Sequence, residues 1–439
     1  MGWRQPSLPL RAKSNPAAAP LKRATSAPEA PRAPEPEPSR LSSDSQAAHE
    51  AQDPIAGNVP SEVRWHLDPA EVGLERTVLE EGPALLAAGV REGRHAGAQV
   101  YVARHGRAVL EFAVGEAAPG RAMGVDHLTA WFSASKPATA LAIALLYDRG
   151  ALALDDRVQR YLPDFAAGKE RCTIRHVLTH TGGFAGALDA RVQLDWAETL
   201  ARISAHPADY PPGSKAGYHS TTGWYVLGEI VRRIDGRPID RFMAEELFAP
   251  LGIVDSRMGI PEAQQGALEH RLARVQLGRT ERQPYADQGF VDQFNSAREI
   301  ARVNPSGGIR GPARELGRLY DLLLAGGVWG ERQVLDRRTV ALFTACHRWG
   351  MPDLTLMGAP LAWGLGFGLH GNADYHRDYS RRVFGHSGMV STVGLGDPEH
   401  GLTCVVVTTG LLDPMTNARR LREATGTAVR ALRADPAGA

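Results

Sequence analysis

Ser133-Ala134-Ser135-Lys136-Pro137-Ala138-Thr139-Ala140-Leu141-Ala142-Ile143-Ala144-Leu145-Leu146 is the stretch on which the reading of this chain turns. From Ala138 onward it is almost wholly apolar and rich in alanine and leucine, which predicts a helix buried on most sides. Pro137 fixes its start, because a residue without an N–H is tolerated only in the first turn. Ser133 therefore stands at or beside the helix N-terminus, where free N–H groups and the helix dipole favour developing negative charge. Residues three apart share a helix face, so Lys136 reaches the Ser133 hydroxyl without help from the fold. The pair reads as a nucleophile beside its base.

An arginine could not stand in for Lys136. Guanidinium stays protonated at any working pH, whereas burial can make a lysine neutral. Lysine is otherwise scarce: Lys13, Lys22, Lys136, Lys169 and Lys215 are all there is, and arginine supplies the remaining positive charge. Lowering a lysine from about 10.4 to about 7.5 costs roughly 4 kcal/mol. The chemistry thus predicts an enclosed pocket.

Composition bounds the rest. With 439 residues, 43% of them hydrophobic, and a formal charge of +1, the chain has material for one large core or two smaller ones. It has no electrostatic bias toward nucleic acid or acidic membranes. A small neutral molecule is the expected partner, and the oligomeric state is left open. No apolar run approaches the length of a membrane-spanning helix. Cys172, Cys346 and Cys404 are few, odd in number and widely spaced, against both a disulfide framework and a zinc site, and in favour of a reducing, cytoplasmic compartment. Residues 1–60 are dense in Ala, Pro, Ser and Arg and read as a disordered leader. Its early basic residues also suit an organelle-targeting peptide, although Pro6, Pro9, Pro16 and Pro20 oppose the amphipathic helix such a peptide needs.

Periodic structure is expected from about residue 63, opening with a helix over 68–90 that has Asp68 as N-cap and Pro69 at its first position. Runs over 98–103 and 108–113 flank His105-Gly106 and predict an antiparallel hairpin. Helical patterns follow at 175–178, 195–204, 224–234, 238–247 and 313–324. Strand-like runs at 389–394 and 402–408 are separated by the turn sequence Asp397-Pro398-Glu399-His400-Gly401, and an amphipathic helix closes the pattern at 416–432. Strands at both ends with helices between predict one sheet built from the two termini and an inserted helical part. The expected division is a leader over 1–60 and one domain over 61–435, with a sheet subdomain of 61–130 plus 380–435 and a helical subdomain of 131–379.

A serine and a lysine do not complete an acyl-transfer site, which also needs an oxyanion hole and a proton donor for the leaving atom. Tyr218-His219-Ser220, after the Pro211-Pro212-Gly213 turn and before a helix, could hold a tyrosine hydroxyl for that transfer. Phe384-Gly385-His386-Ser387-Gly388-Met389 comes just before a predicted strand. Its glycines let backbone approach a ligand, and the Met389 N–H could point into a cleft.

Ser-x-x-Lys at a helix start, then Tyr-x-Ser, then His-x-Gly near the C-terminus, resembles the serine β-lactamase and penicillin-binding protein superfamily, most closely its esterase-like branch related to class C enzymes. Leu154-Asp155-Asp156-Arg157-Val158-Gln159-Arg160-Tyr161-Leu162-Pro163, Ile174-Arg175-His176-Val177-Leu178-Thr179-His180-Thr181-Gly182-Gly183 and Gly364-Leu365-Gly366-Phe367-Gly368 support it. The resemblance implies an α+β, β-lactamase/transpeptidase-like fold: an antiparallel sheet from both chain ends, flanked by helices, with an inserted helical subdomain and the site in the cleft between. It implies that Ser133 forms the acyl-enzyme, Lys136 activates it and Tyr218 passes the proton to the leaving group. The N–H groups of Ser133 and Met389 would form the oxyanion hole, with His386, Gly388 and Ser220 at the substrate.

Two departures bear on substrate. Antibiotic-hydrolysing relatives usually carry Lys-Thr-Gly where this chain has His386-Ser387-Gly388, and the lysine there helps to hold a carboxylate. Ser220 stands where class C enzymes have an asparagine that contacts the penicillin amide. Both point toward simple carboxylic esters. An acyltransferase with the same acyl-enzyme, a weak β-lactamase or D-peptidase, and a binding protein that keeps the fold are the alternatives. No Gly-x-Ser-x-Gly elbow occurs. Gly366-Phe367-Gly368-Leu369-His370-Gly371 matches a dinucleotide fingerprint but opens no clear helix. His370, His376, His386, Asp374 and Asp378 lack metal-ligand spacing. No cofactor or metal is expected.

Overall fold

The computed structural model describes residues 59–188, 194–356, 358–389 and 391–433. The expected leader thus lies outside the described residues, except for its last two. The elements that frame the site are, in chain order, β1 (Ser61–Trp65), α1 (Arg76–Arg91), β2 (Gly97–Arg104), β3 (Arg107–Ala118), α2 (Lys136–Asp148), α3 (Thr222–Asp235), α4 (Ala313–Leu324), β4 (Gly368–Leu369), β5 (Phe384–Gly388), β6 (Thr392–Asp397), β7 (Leu402–Thr408) and α5 (Pro414–Arg430).

The strands form one antiparallel sheet in the order β1-β3-β2-β7-β6-β5-β4. Its centre joins the two ends of the domain, because β2 pairs with β7 from Ala98↔Thr408 to Arg104↔Leu402. Both strands are nearly continuous apolar runs, as a strand covered on both faces must be. Alternate side chains go to opposite layers. Val100, Val102 and Val406 join Leu79 and Leu86 of α1 and Leu421 and Ala428 of α5. Tyr101, Val405 and Val407 join Leu316, Leu319 and Tyr320 of α4. Each such side chain contributes roughly 1.5–3 kcal/mol on burial, so the central pairing is strongly fixed. The fold is therefore the α+β, β-lactamase/transpeptidase-like arrangement implied by the sequence. The 131–379 span also returns α4 and β4 to the sheet layers.

The hairpin turn at His105 and Gly106 has φ of 50° and 73°, the left-handed pair that matches strand twist. Other expectations are corrected. The helix over 68–90 is two elements: Asp68 caps a short 3₁₀ turn, Pro69–Val72, which Gly73 ends at φ 66° before α1 begins. Leu74 lies fully buried between them and bridges to Leu432, so tertiary pairing overrides the helical pattern. A strand, β1, precedes that turn and occupies the free edge of β3. The strand predicted over 389–394 starts only at Thr392, and Phe384–Gly388 is itself a strand rather than the approach to one. The turn between them passes Met389.

α2 is the axis of the helical part. Every residue from Lys136 through Leu146 is buried, as an all-apolar helix requires.

Candidate active site

The turn that carries Ser133 is tightly determined. A 3₁₀ turn, Phe132–Ser135, runs into α2 at Lys136. Phe132 has φ 49°, a left-handed conformation that costs a non-glycine residue roughly 1–2 kcal/mol. Its surroundings hold it there: the Phe132 ring stacks on Phe294 at 4.5 Å, and the neighbouring Trp131 N–H donates to the Ile309 carbonyl at 3.1 Å. Strain of this kind is tolerated where structure over-determines it. Ser135 is fully buried and its Oγ accepts from the Ile309 N–H at 3.3 Å. Ser133 is half-buried. Of the two serines, only Ser133 is open to a substrate.

Lys136 is completely buried, with Nζ 2.8 Å from Ser133 Oγ and 2.8 Å from the carbonyl oxygen of Ser306. The rings of Tyr218 and Trp224 lie 5.3 and 5.5 Å from the amine. No carboxylate pairs with it among the described residues. Burial alone therefore drives its pKa well below the usual lysine value, as the sequence required of a base. A neutral amine here can donate to Ser306 and accept from Ser133.

Tyr218 enters from the loop ahead of α3. Burial pushes its pKa well up, opposed by a hydrogen bond with Ser133 and reinforced by Tyr285 and Asp353. The phenol keeps its proton at neutral pH and stands beside the Ser133 hydroxyl. His180 packs 4.6 Å from its ring, and Trp363 5.9 Å away.

The sheet supplies the opposite wall. His386, on β5, is 4% exposed, with its ring 6.2 Å from Tyr218 and 5.5 Å from Trp363. Nδ1 lies 2.7 Å from the Ser387 carbonyl, so it carries the proton. Burial and the nearby Lys136 lower its pKa to about 3, so the ring is neutral and Nε2 is an acceptor. A Cβ at Gly388 would sit 2.2 Å from the Trp131 carbonyl and 3.1 Å from the Phe132 Cβ. Only glycine lets the end of β5 approach the Phe132–Ser135 turn this closely. Met389 follows, half-buried against the cluster that contains Phe132. Ser220 is exposed, and no hydrogen bond ties it to Ser133, Lys136 or Tyr218 among the described residues. The structure thus gathers Ser133, Lys136, Tyr218, His386, Gly388 and Met389, and leaves Ser220 exposed without a hydrogen bond to them among the described residues.

Sequence reasoning missed the Ser306 carbonyl, Trp224 and Trp363. A main-chain acceptor has no residue signature, and a buried tryptophan reads as core. His180, within the run from Ile174 to Gly183 and given no role by the sequence, has φ of 59° and a ring 4.6 Å from that of Tyr218. The glycines over 366–371 form β4 and a turn with no helix after it, so the dinucleotide pattern lacks its structural setting.

The sequence model of the family described as Beta-lactamase matches residues 83–427. The chain belongs to that family. A "Putative D-alanyl-D-alanine carboxypeptidase" of Escherichia coli (strain K12) is 27% identical over 314 residues, 64% of this chain and 69% of that one. Esterase EstB of Burkholderia gladioli is 34% identical over 228 residues, 46% of this chain and 58% of EstB. A solved structure of a family VIII carboxylesterase is 25% identical with a TM-score of 0.70, covering 84% of this chain and 100% of that one.

Proposed function

We propose that this chain is a serine hydrolase that cleaves small carboxylic esters through an acyl-enzyme. The observation that carries the reading is the fully buried Lys136 amine, 2.8 Å from Ser133 Oγ and paired with no carboxylate among the described residues. Similarity to an esterase and to a family VIII carboxylesterase supports it.

In this reading neutral Lys136 takes the Ser133 proton as Oγ attacks the ester carbonyl carbon. The resulting oxyanion accepts from the backbone N–H groups of Ser133 and Met389, each worth about 3 kcal/mol in such sites. Collapse breaks the bond to the leaving oxygen, which takes a proton delivered by Tyr218, re-protonated in turn from Lys136. Water then attacks the acyl-enzyme by the same route in reverse. The neutral His386 offers no fixed charge for a carboxylate, which favours esters over the D-alanyl peptides suggested by the E. coli relative's name. Ser220 would contact substrate at the rim. The free cysteines Cys172, Cys346 and Cys404 fit a reducing, cytoplasmic setting.

Intact mass after fluorophosphonate treatment, with turnover of p-nitrophenyl acetate, butyrate and octanoate, tests the reading. Wild type should gain one adduct and hydrolyse a short ester, and Ser133→Ala should do neither. A folded wild type that takes no label would sink it. Adding alcohol acceptors distinguishes hydrolysis from acyl transfer, and a D-Ala-D-Ala peptide tests the peptidase alternative.

A further inference from the structure

Tyr218 stands on neither a helix nor a strand, so its precision must come from what its loop touches. The Tyr218 N–H donates to Asp353 Oδ1 at 3.0 Å and to Thr355 Oγ1 at 2.8 Å. Thr355 Oγ1 in turn donates to the same Asp353 oxygen at 2.8 Å. Leu354 N donates to the Ala216 carbonyl at 2.9 Å, extending a parallel bridge between Ala216 and Asp353. The other Asp353 oxygen accepts from Arg348 Nη1 at 3.2 Å, and that nitrogen also donates to the Thr179 carbonyl at 3.1 Å. Thr179 directly precedes His180, whose ring supports Tyr218. Asp353 is 0% exposed and Arg348 3%.

A buried ion pair is a poor device for stability, since well-packed apolar residues do as well or better. This one links the Tyr218 main chain to the motif beneath its ring. We infer that Asp353, clamped by Arg348, is the positioning residue that holds the Tyr218 hydroxyl at the leaving atom. The inference rests on Tyr218 as the group that passes the proton to the leaving alcohol. Neither Arg348 nor Asp353 touches substrate in it.

Leaving-group dependence separates positioning from mere folding. A p-nitrophenolate leaves without a proton, whereas an ethoxide does not, so a displaced Tyr218 must slow ethyl butyrate more than p-nitrophenyl butyrate. Two double variants discharge the pair without stranding a buried charge. Arg348→Met with Asp353→Asn keeps an acceptor for the Tyr218 N–H, and Arg348→Met with Asp353→Leu removes it.

The leucine variant should lose about ten- to a hundredfold more kcat on the ethyl ester than on the p-nitrophenyl ester, with KM little changed. The asparagine variant should keep the wild-type ratio of the two. Equal ratios in both double variants would overturn the inference. Should the leucine variant not fold, Thr355→Val at an exposed position carries the test: a ratio shifted the same way by about threefold or more supports the inference, and an unchanged ratio overturns it. Tyr218→Phe is the reference. If its ratio is that of wild type, the reading of Tyr218 itself fails; if it shifts while the positioning variants do not, only the inference fails.

Discussion

Lys136 concentrates the chemical argument in one residue. Its amine loses hydration on burial and gains no counter-charge from the described residues, so the charged form is the one penalised. With a folded-state pKa below the unfolded one, stability is greatest above the unfolded value and falls as pH drops toward the folded one. Activity follows the same group: kcat/KM should rise with pH through the depressed lysine pKa. Lys136→Met, close in volume, should abolish turnover and raise stability at pH 7 by on the order of 1 kcal/mol or more. Thermal unfolding of the two proteins checks this. A methionine variant less stable than wild type would mean that the amine is held charged by something other than its visible partners. Ser133 and Lys136 were legible because their relation is local, three residues apart where a 3₁₀ turn runs into α2. Tyr218 and His386 were legible only as an ordered set.

Two elements carry tests of their own. β5 reaches the turn that carries Ser133 through Gly388, where a Cβ would meet the Trp131 carbonyl at 2.2 Å. Gly388→Ala should therefore push the strand end and the Met389 N–H away. Turnover should fall by about 10² or more, the usual cost of one oxyanion donor, while circular dichroism stays close to wild type. On α4, Asp321 accepts at 2.8 Å from the hydroxyl of Tyr101 on β2, which the helix covers. Burial raises its pKa to about 6. The sign is opposite to that of a paired carboxylate: stability is present below the unfolded value and lost as pH rises through about 6. A shift of that size is worth roughly 3 kcal/mol. Asp321→Asn keeps an acceptor for Tyr101 and should stabilise the protein at pH 8 but not at pH 4, read as Tm against pH. The elements also mark where pattern failed. The 68–90 helix broke at Gly73 because Leu74 is taken by the core, and 384–388 became a strand because β6 offered it a ladder.

The whole molecule is organised by the pairing of β2 with β7, which closes a loop of some three hundred residues and leaves α2 and α3 to form the other side of the cleft. The sheet begins at Ser61 and its covering layers are complete by Arg430. Deleting residues 1–58 should accordingly leave Tm and p-nitrophenyl ester turnover within error of the full chain. A loss of either would show that residues 1–58 contribute to the fold or to the site.

By itself the sequence determined the pairing of Ser133 with Lys136, the apolar helix that opens at Lys136, the hairpin, and the family whose motifs it carries. These are legible because they depend on neighbours a few residues apart: helical spacing, a proline at a helix start, alternation along a strand. The tertiary structure alone decided that no carboxylate among the described residues pairs with Lys136, that the Ser306 carbonyl aims at it, that His386 is buried, and that Asp353 accepts from the Tyr218 N–H. Each of these depends on groups brought together from distant parts of the chain, and desolvation is a property of the surroundings, which no single residue states.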